Sequence, residues 1–384
     1  MASVLSAAET PDLPTEQEMP WVPPRRRDRW PRDPIARWAV RTGLSLPYLA
    51  LAWLVVERGV SSRLNAATDE AGAAVEWGAS TFGWVSEAYP PIPVGIAGVL
   101  PWGTAALSVV GALAAGPLLH SLVERLVRRD VPVPLVVLLI ASVALTPLFG
   151  YLATEDLSGF LALALLVVAL EGFLRFVTEA DTEGGFQAGL LLGVAAACDV
   201  SSVVFALLLG ASAPFVARAR YRGVPAAGRA TAAVLAFPAV AALLGWAFLE
   251  WRFSGTVLDS VLEAATVEHS GDNLGEAAVH VARTTLHLPL FYVCGALLTV
   301  RRPAALIAYL MPLPGLVVAA WLGLHTGAGA TVVILSGLAL LAVPARPSRG
   351  VALLLGVAAV AQVVVVWLVV TPNRLAGPWI ALLF

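Results

Sequence analysis

Apolar runs close to the ~20 residues that cross a bilayer as a helix recur along almost the whole chain. No other feature constrains the fold as much. With 59% hydrophobic and only 13% charged residues, the chain has too little charge to cover a water-soluble surface. In lipid each run must satisfy its own backbone hydrogen bonds, which a helix does within the segment. Strict alternation of apolar and polar residues is absent, which argues against an outer-membrane barrel. The expectation is an all-α, polytopic transmembrane bundle.

Eleven spans are expected: Trp38–Val56, Ile92–Leu119, Val131–Leu152, Leu157–Phe176, Phe186–Ala197, Ser201–Ala217, Ala230–Glu250, Leu288–Val300, Ala304–Leu322, Ala328–Val343 and Val351–Val370. All 24 basic residues are arginine, which with the heavy use of Ala, Val, Leu and Gly points to a GC-rich bacterial genome. Arginine collects in short cytoplasmic loops because translocating it is unfavourable. The clusters at Arg25–Arg41, Arg125–Arg129, Arg175, Arg218–Arg229, Arg301/Arg302 and Arg346/Arg349 therefore read as inside. The sparse loops holding Arg58, Arg63, Arg252, Arg283 and Arg374 read as outside. One alternating assignment satisfies every cluster and places the N-terminus in the cytoplasm of a multi-pass bacterial inner-membrane protein. It also requires Gly185–Ala217 to be a hairpin of two short helices, with Cys198–Ser202 near its external tip. Residues 1–37 carry acids, prolines and Arg25-Arg26-Arg27 without an apolar core; they read as a disordered cytoplasmic tail rather than a signal peptide. Residues 38–384 form a single transmembrane domain with long external loops at 57–91 and 251–287.

The first external loop is the most informative segment. Within Ala66–Trp84, Asp69 and Glu76 are seven apart and share a helical face, with Val75 and Phe82 opposite and Trp77 and Trp84 flanking. Such a helix can lie in the interface plane, tryptophans at headgroup depth and acids just outside; the alternative is a solvated linker with ordinary loop acids.

Asp69-Glu70-Ala71-Gly72, followed by Tyr89-Pro90-Pro91-Ile92-Pro93 at the mouth of the next span, resembles the polytopic GT-C glycosyltransferases, among them the protein O-mannosyltransferase and aminoarabinose-transferase-like enzymes. These place an acidic motif on a juxtamembrane helix after the first span and a Tyr-Pro-Pro motif at the second. Tyr151–Asp156 is similar to their second external acidic position, and the Gly185–Ala217 hairpin to their pair of short helices. The similarity covers about residues 38–250. One departure is Asp199, where relatives often carry Lys-Pro or Arg-Pro.

The resemblance implies inverting transfer of a sugar from a polyprenyl-phosphate donor to an acceptor on the outer face. A carboxylate must take the proton of the attacking hydroxyl. Asp69 is the candidate base, Glu70 its helper, and Glu87 the reserve. Glu155, Asp156 and Tyr89 are candidates for holding sugar or acceptor, although acids at these positions also suit helix N-termini. The phosphate calls for forked arginine donors, with Arg63, Arg252, Arg283 and Arg374 as candidates, although single arginines at these positions also serve as interfacial anchors that snorkel to lipid phosphates. The expected partners are the lipid-linked donor, a lipid, glycan or protein acceptor, and membrane lipids; nucleic acid is not among them. The loop at 251–287 holds several His and acidic residues but no His pair at i, i+4 spacing, so no metal ligands are assigned; a divalent cation is left open as cofactor. Cys198 and Cys294 make no disulfide framework. Two other classes compete. A lipid or sugar flippase or secondary transporter would keep ionisable groups near the midplane, whereas these carboxylates gather at external helix ends. A catalytically silent GT-C-like scaffold is the third.

Overall fold

The computed structural model describes residues 30–60, 62–78, 82–179, 181–220, 226–265, 273–301, 303–324, 328–370 and 376–383. Among these there is no strand. The helices are α1 Pro34–Glu57, α2 Arg63–Ala73, α3 Pro91–Val99, α4 Thr104–Arg128, α5 Val133–Ala144, α6 Pro147–Glu155, α7 Leu157–Glu179, α8 Thr182–Ala196 and α9 Ser201–Arg220. They continue with α10 Ala227–Phe253, α11 Asp259–Ala265, α12 Leu274–Leu286, α13 Pro289–Arg301, α14 Pro303–Leu310, α15 Pro312–Trp321, α16 Ala328–Ala342, α17 Arg349–Val365 and α18 Ala376–Leu383. A 3₁₀ turn, Gly83–Glu87, follows α2, and a π turn, Val366–Val370, extends α17.

Five of these helices are long and apolar enough to cross a membrane, or seven if two bent pairs each count as one span. The bent pairs are α5–α6, at 58°, and α12–α13, at 90°. The outer faces of α1, α10 and α17 present Trp38, Trp53, Phe237, Leu244, Leu353 and Val357 in the open. Apolar faces on this scale need an apolar solvent. The chain is thus a membrane-embedded helical protein. α16 is buried along nearly its whole length, from Thr331 to Val343, as a helix apolar all round should be.

Four sequence expectations need correction. The run Val131–Leu152 is not one straight helix: it breaks after Ala144 and bends by 58° into α6. The run Ile92–Leu119 is not one helix: it breaks at Leu100–Gly103, where Pro101 interrupts and Gly103 adopts φ +59°. The run Ala304–Leu322 divides at Met311, before Pro312. The shared face of Asp69 and Glu76 does not form, because α2 ends at Ala73 and the chain turns through Gly78 at φ +90°. At the start of the chain, Asp33 caps α1 by accepting from the Ile35 N–H, so the helix begins at Pro34, inside the segment read as tail. The rest of that tail, 1–29, lies outside the described residues, as do Arg222, Arg302 and Arg374.

Small residues let the helices approach closely. A Cβ on Gly116 of α4 would collide with the Arg41 carbonyl of α1, and one on Gly189 of α8 with the Val234 carbonyl of α10. Without a hydrophobic drive between helices in lipid, such close backbone packing supplies the attraction. Buried polar contacts add to it: Gln362 of α17 donates to Ser336 of α16 at 2.9 Å and to the Ser142 carbonyl of α5 at 3.4 Å.

The two ends of the bundle differ in chemistry. At one end Arg125 pairs with Glu179 at 2.8 Å, tying α4 to α7. Arg129 reaches the Leu341 carbonyl at 2.8 Å, and Arg346 reaches Asp130 at 2.8 Å. His120 bonds the Trp30 carbonyl at 3.0 Å, fastening the start of the described chain there. The other end holds the first loop and the acids described next.

Candidate functional site

α2 is set by its capping residue. Ser62 accepts from the Asn65 N–H at 3.2 Å, while its own N–H donates to Glu155 Oε2 at 2.9 Å and its hydroxyl to the Glu155 carbonyl. Asn65, almost fully buried, clamps the α6–α7 junction from the same helix. Its Nδ2 donates to the Thr154 carbonyl at 3.0 Å, and its Oδ1 accepts from the Leu157 N–H at 3.0 Å. α2 is thus fixed where α6 ends and α7 begins.

Asp69 lies one helical turn beyond Asn65, on the same face and about 6 Å further along the axis. It is half-buried, whereas Glu70 is exposed. The Asp69 carboxylate faces Gly103: a Cβ there would lie 3.2 Å from Oδ2. Gly103 precedes the first turn of α4 and no side chain caps that helix. The carboxylate therefore sits beside the positive end of a helix dipole. Gly103 is required twice, by its positive φ and by this contact.

The residue before it, Trp102, forms part of an apolar groove between α1 and α4 with a volume of about 830 Å³. Trp53, Val56, Val109 and Leu113 complete most of its wall, and Glu57 stands at its edge, accepting from Trp53 Nε1 at 2.9 Å. The groove opens along the exposed apolar flank of the bundle.

The other predicted acids are engaged internally. Glu155 is buried, and its second oxygen accepts from Trp379 Nε1 of α18 at 3.1 Å. Asp156, also buried, accepts from the Gly159 N–H at 2.9 Å in the first turn of α7. Tyr89 is buried, donates to the Ala196 carbonyl at 2.9 Å and packs its ring 5.9 Å from that of Trp246. Burial, reinforced by Asp199 and Cys198 nearby, holds its hydroxyl far above the ordinary phenol range, so it remains a neutral donor. The loop between α8 and α9 docks here as well: Ile92 N–H donates to the Ala197 carbonyl at 3.1 Å, and Ser158 to the Cys198 carbonyl at 2.5 Å. The expected hairpin is present as two helices with this turn against the first loop. Asp199 opens α9, its Oδ1 accepting from the Ser201 N–H at 2.7 Å.

Glu87 lies in the 3₁₀ turn; its side chain is outside the described residues. Arg63 at the start of α2 and Arg252 near the end of α10 are exposed, the latter with its guanidinium 5.6 Å over the Phe253 ring. Phe253 in turn packs 5.1 Å from Phe82 of the first loop. Arg283 is exposed on α12, whose main partners are α15 and α16. The structure therefore gathers Asp69, Glu155, Asp156, Tyr89, Arg63 and Arg252 at the end opposite the arginine cluster, and places Arg283 on a separate helix. Among the described residues no three His, Cys, Asp or Glu side chains gather as a metal site.

Two residues at this end escaped the sequence reading. Asn65 lies among other polar residues, between Ser61-Ser62-Arg63 and Thr68-Asp69-Glu70, so no pattern singles it out. Glu250, fully buried near the end of α10, had one visible signal: an acid closing a long apolar run. Comparison with protein-family models, with curated proteins and with solved structures gave no match.

Proposed function

We propose that the chain is a polytopic membrane glycosyltransferase of the GT-C kind, which transfers a sugar from a polyprenyl-phosphate donor to an acceptor on the outer face of the bacterial inner membrane. One observation carries this reading: the half-buried Asp69 faces Gly103, and the neighbouring Trp102 walls an apolar groove open along the flank of the bundle. A polyprenyl chain lying in that groove brings its phosphate-linked sugar to the carboxylate that must accept a proton. Asp69 is the base and Glu70 assists at the same surface, with Glu87 in reserve. Arg63 and Arg252 are the candidate cations at this end of the fold for the departing phosphate. Glu155, Asp156 and Tyr89 act by positioning, since each holds loop or helix ends together. The proposal keeps the eleven-span topology with a cytoplasmic N-terminus; what supports the orientation is the collection of arginine at one end of the bundle and of the proposed acids at the other.

The test uses the full chain in vesicles with radiolabelled polyprenyl-phosphate sugars and a membrane extract as acceptor. Asp69→Asn keeps the shape and loses the proton acceptor, so transfer should fall at least 100-fold, within the range of about 10²–10⁴ for general-base catalysis, while donor binding persists. Wild-type transfer in Asp69→Asn would remove Asp69 from the mechanism. Absence of transfer by the wild type across mannosyl, arabinosyl and aminoarabinosyl donors would sink the activity.

A further inference from the structure

The end of α10 builds a second polar niche. Glu250 is fully buried. Its Oε1 accepts from the Ser260 N–H at 3.1 Å, from the Ser260 hydroxyl, and from Trp246 Nε1 at 3.3 Å. Its Oε2 is shut off from solvent and has no hydrogen-bond partner among the described residues. Trp84 Nε1 is buried and unpartnered in the same way. The 3₁₀ turn that carries Trp84 packs against both α10 and α11. Trp84 and Trp246 share one small apolar cluster with Val75, Ala88 and Val94. The Tyr89 ring lies against Trp246, and the Phe82 ring 6.2 Å from Trp84.

An orphan acceptor and an orphan donor thus stand among aromatic rings. Each is costly when left unmade, and native chains retain few of them. A single ligand group that satisfies both must donate to the carboxylate and accept from the indole. A cation satisfies the carboxylate but cannot accept from the indole. An anion accepts from the indole but is repelled by the carboxylate. A hydroxyl does both, donating to Oε2 and accepting from Nε1. Carbohydrates carry such hydroxyls beside an apolar C–H face that suits aromatic rings. The contact already made by Ser260 is of the same type, a hydroxyl on the Glu250 carboxylate.

We propose that Glu250, Trp246 and Trp84 form a carbohydrate-hydroxyl subsite, covered by α11, whose Ser260 hydroxyl occupies the position of a ligand hydroxyl. The subsite rests on the sugar-handling reading above only for the class of its ligand, and it requires binding rather than transfer.

The test measures binding alone, by saturation-transfer NMR on the full chain in nanodiscs of phosphatidylcholine and phosphatidylglycerol, free of glycoside detergent. The probes are methyl α-D-mannoside, methyl α-D-glucoside and methyl β-D-arabinofuranoside. At least one should receive saturation at its ring protons. Glu250→Gln should weaken that probe about tenfold, the size expected for a hydrogen bond to a charged group. Trp84→Phe, which keeps the ring and deletes the orphan donor, should weaken it severalfold. Ser260→Ala removes the internal competitor and should tighten binding, an effect that a purely structural serine would not give. Asp69→Asn should leave binding unchanged, which separates this subsite from the transfer reaction. No signal from any glycoside, as when the niche holds only a water, would overturn the proposal. So would equal affinity in Trp84→Phe and Ser260→Ala, which decide the matter if Glu250→Gln fails to assemble.

Discussion

Glu155 shows how far a single side chain can be read before its partners are known. Its position at a helix end is plain from the sequence. Its work as a clamp depends on Ser62 and Trp379, 93 and 224 positions away, and no local pattern reports such partners. Replacing Glu155 by Ala strands the buried Trp379 indole, at a cost of about 1–3 kcal/mol, and leaves the half-buried Ser62 N–H without its acceptor at a smaller one. Thermal unfolding in detergent should show that loss, with a smaller one for Glu155→Gln; equal stability of Glu155→Ala and wild type would discard the clamp. Gly103 is a subtler case. Gly103→Ala meets both a positive φ and the Asp69 carboxylate, so it should lower transfer by displacing Asp69 while leaving the lipid donor bound. A donor-binding defect as large as the transfer defect would contradict that separation.

Among elements, most helices were legible from hydropathy, because length and apolarity decide whether a segment can sit in lipid. The breaks were not. Apolar residues continue across Leu100–Gly103 and across Met311, so the hydrophobic signal runs on while Pro101 and Pro312 interrupt the helices. The first break shapes the proposed site, since it lets α3 lie against α2 and leaves the start of α4 facing Asp69. The helix seams were likewise hidden, because a glycine in an apolar run looks the same whether it faces lipid or a neighbouring backbone. Gly116→Leu should drive α1 from α4 and destabilise the protein by at least about 1–3 kcal/mol, the usual cost of overpacking. Gly43, which has open space around its would-be Cβ, is the control, and Gly43→Ala should unfold at nearly the wild-type temperature. Similar losses at both positions would argue against the seam.

For the molecule as a whole, the polarity of its two ends makes a topology experiment direct. Cys198 and Cys294 are both free and buried, so they give little background to a membrane-impermeant thiol reagent. Glu70→Cys should label in intact cells and Arg301→Cys only after lysis; the reverse pattern would invert the proposed orientation. The groove between α1 and α4 has a further consequence at this scale. Because it opens sideways, its occupant arrives by partitioning into the bilayer, and the relevant concentration is a mole fraction among lipids rather than a molarity in water. Rates measured at a fixed amount of donor should therefore fall as vesicle lipid is increased. In micelles, alkyl chains of the detergent itself become competitors for the groove, so the apparent affinity for one donor should change with detergent tail length even when the protein is equally folded in each.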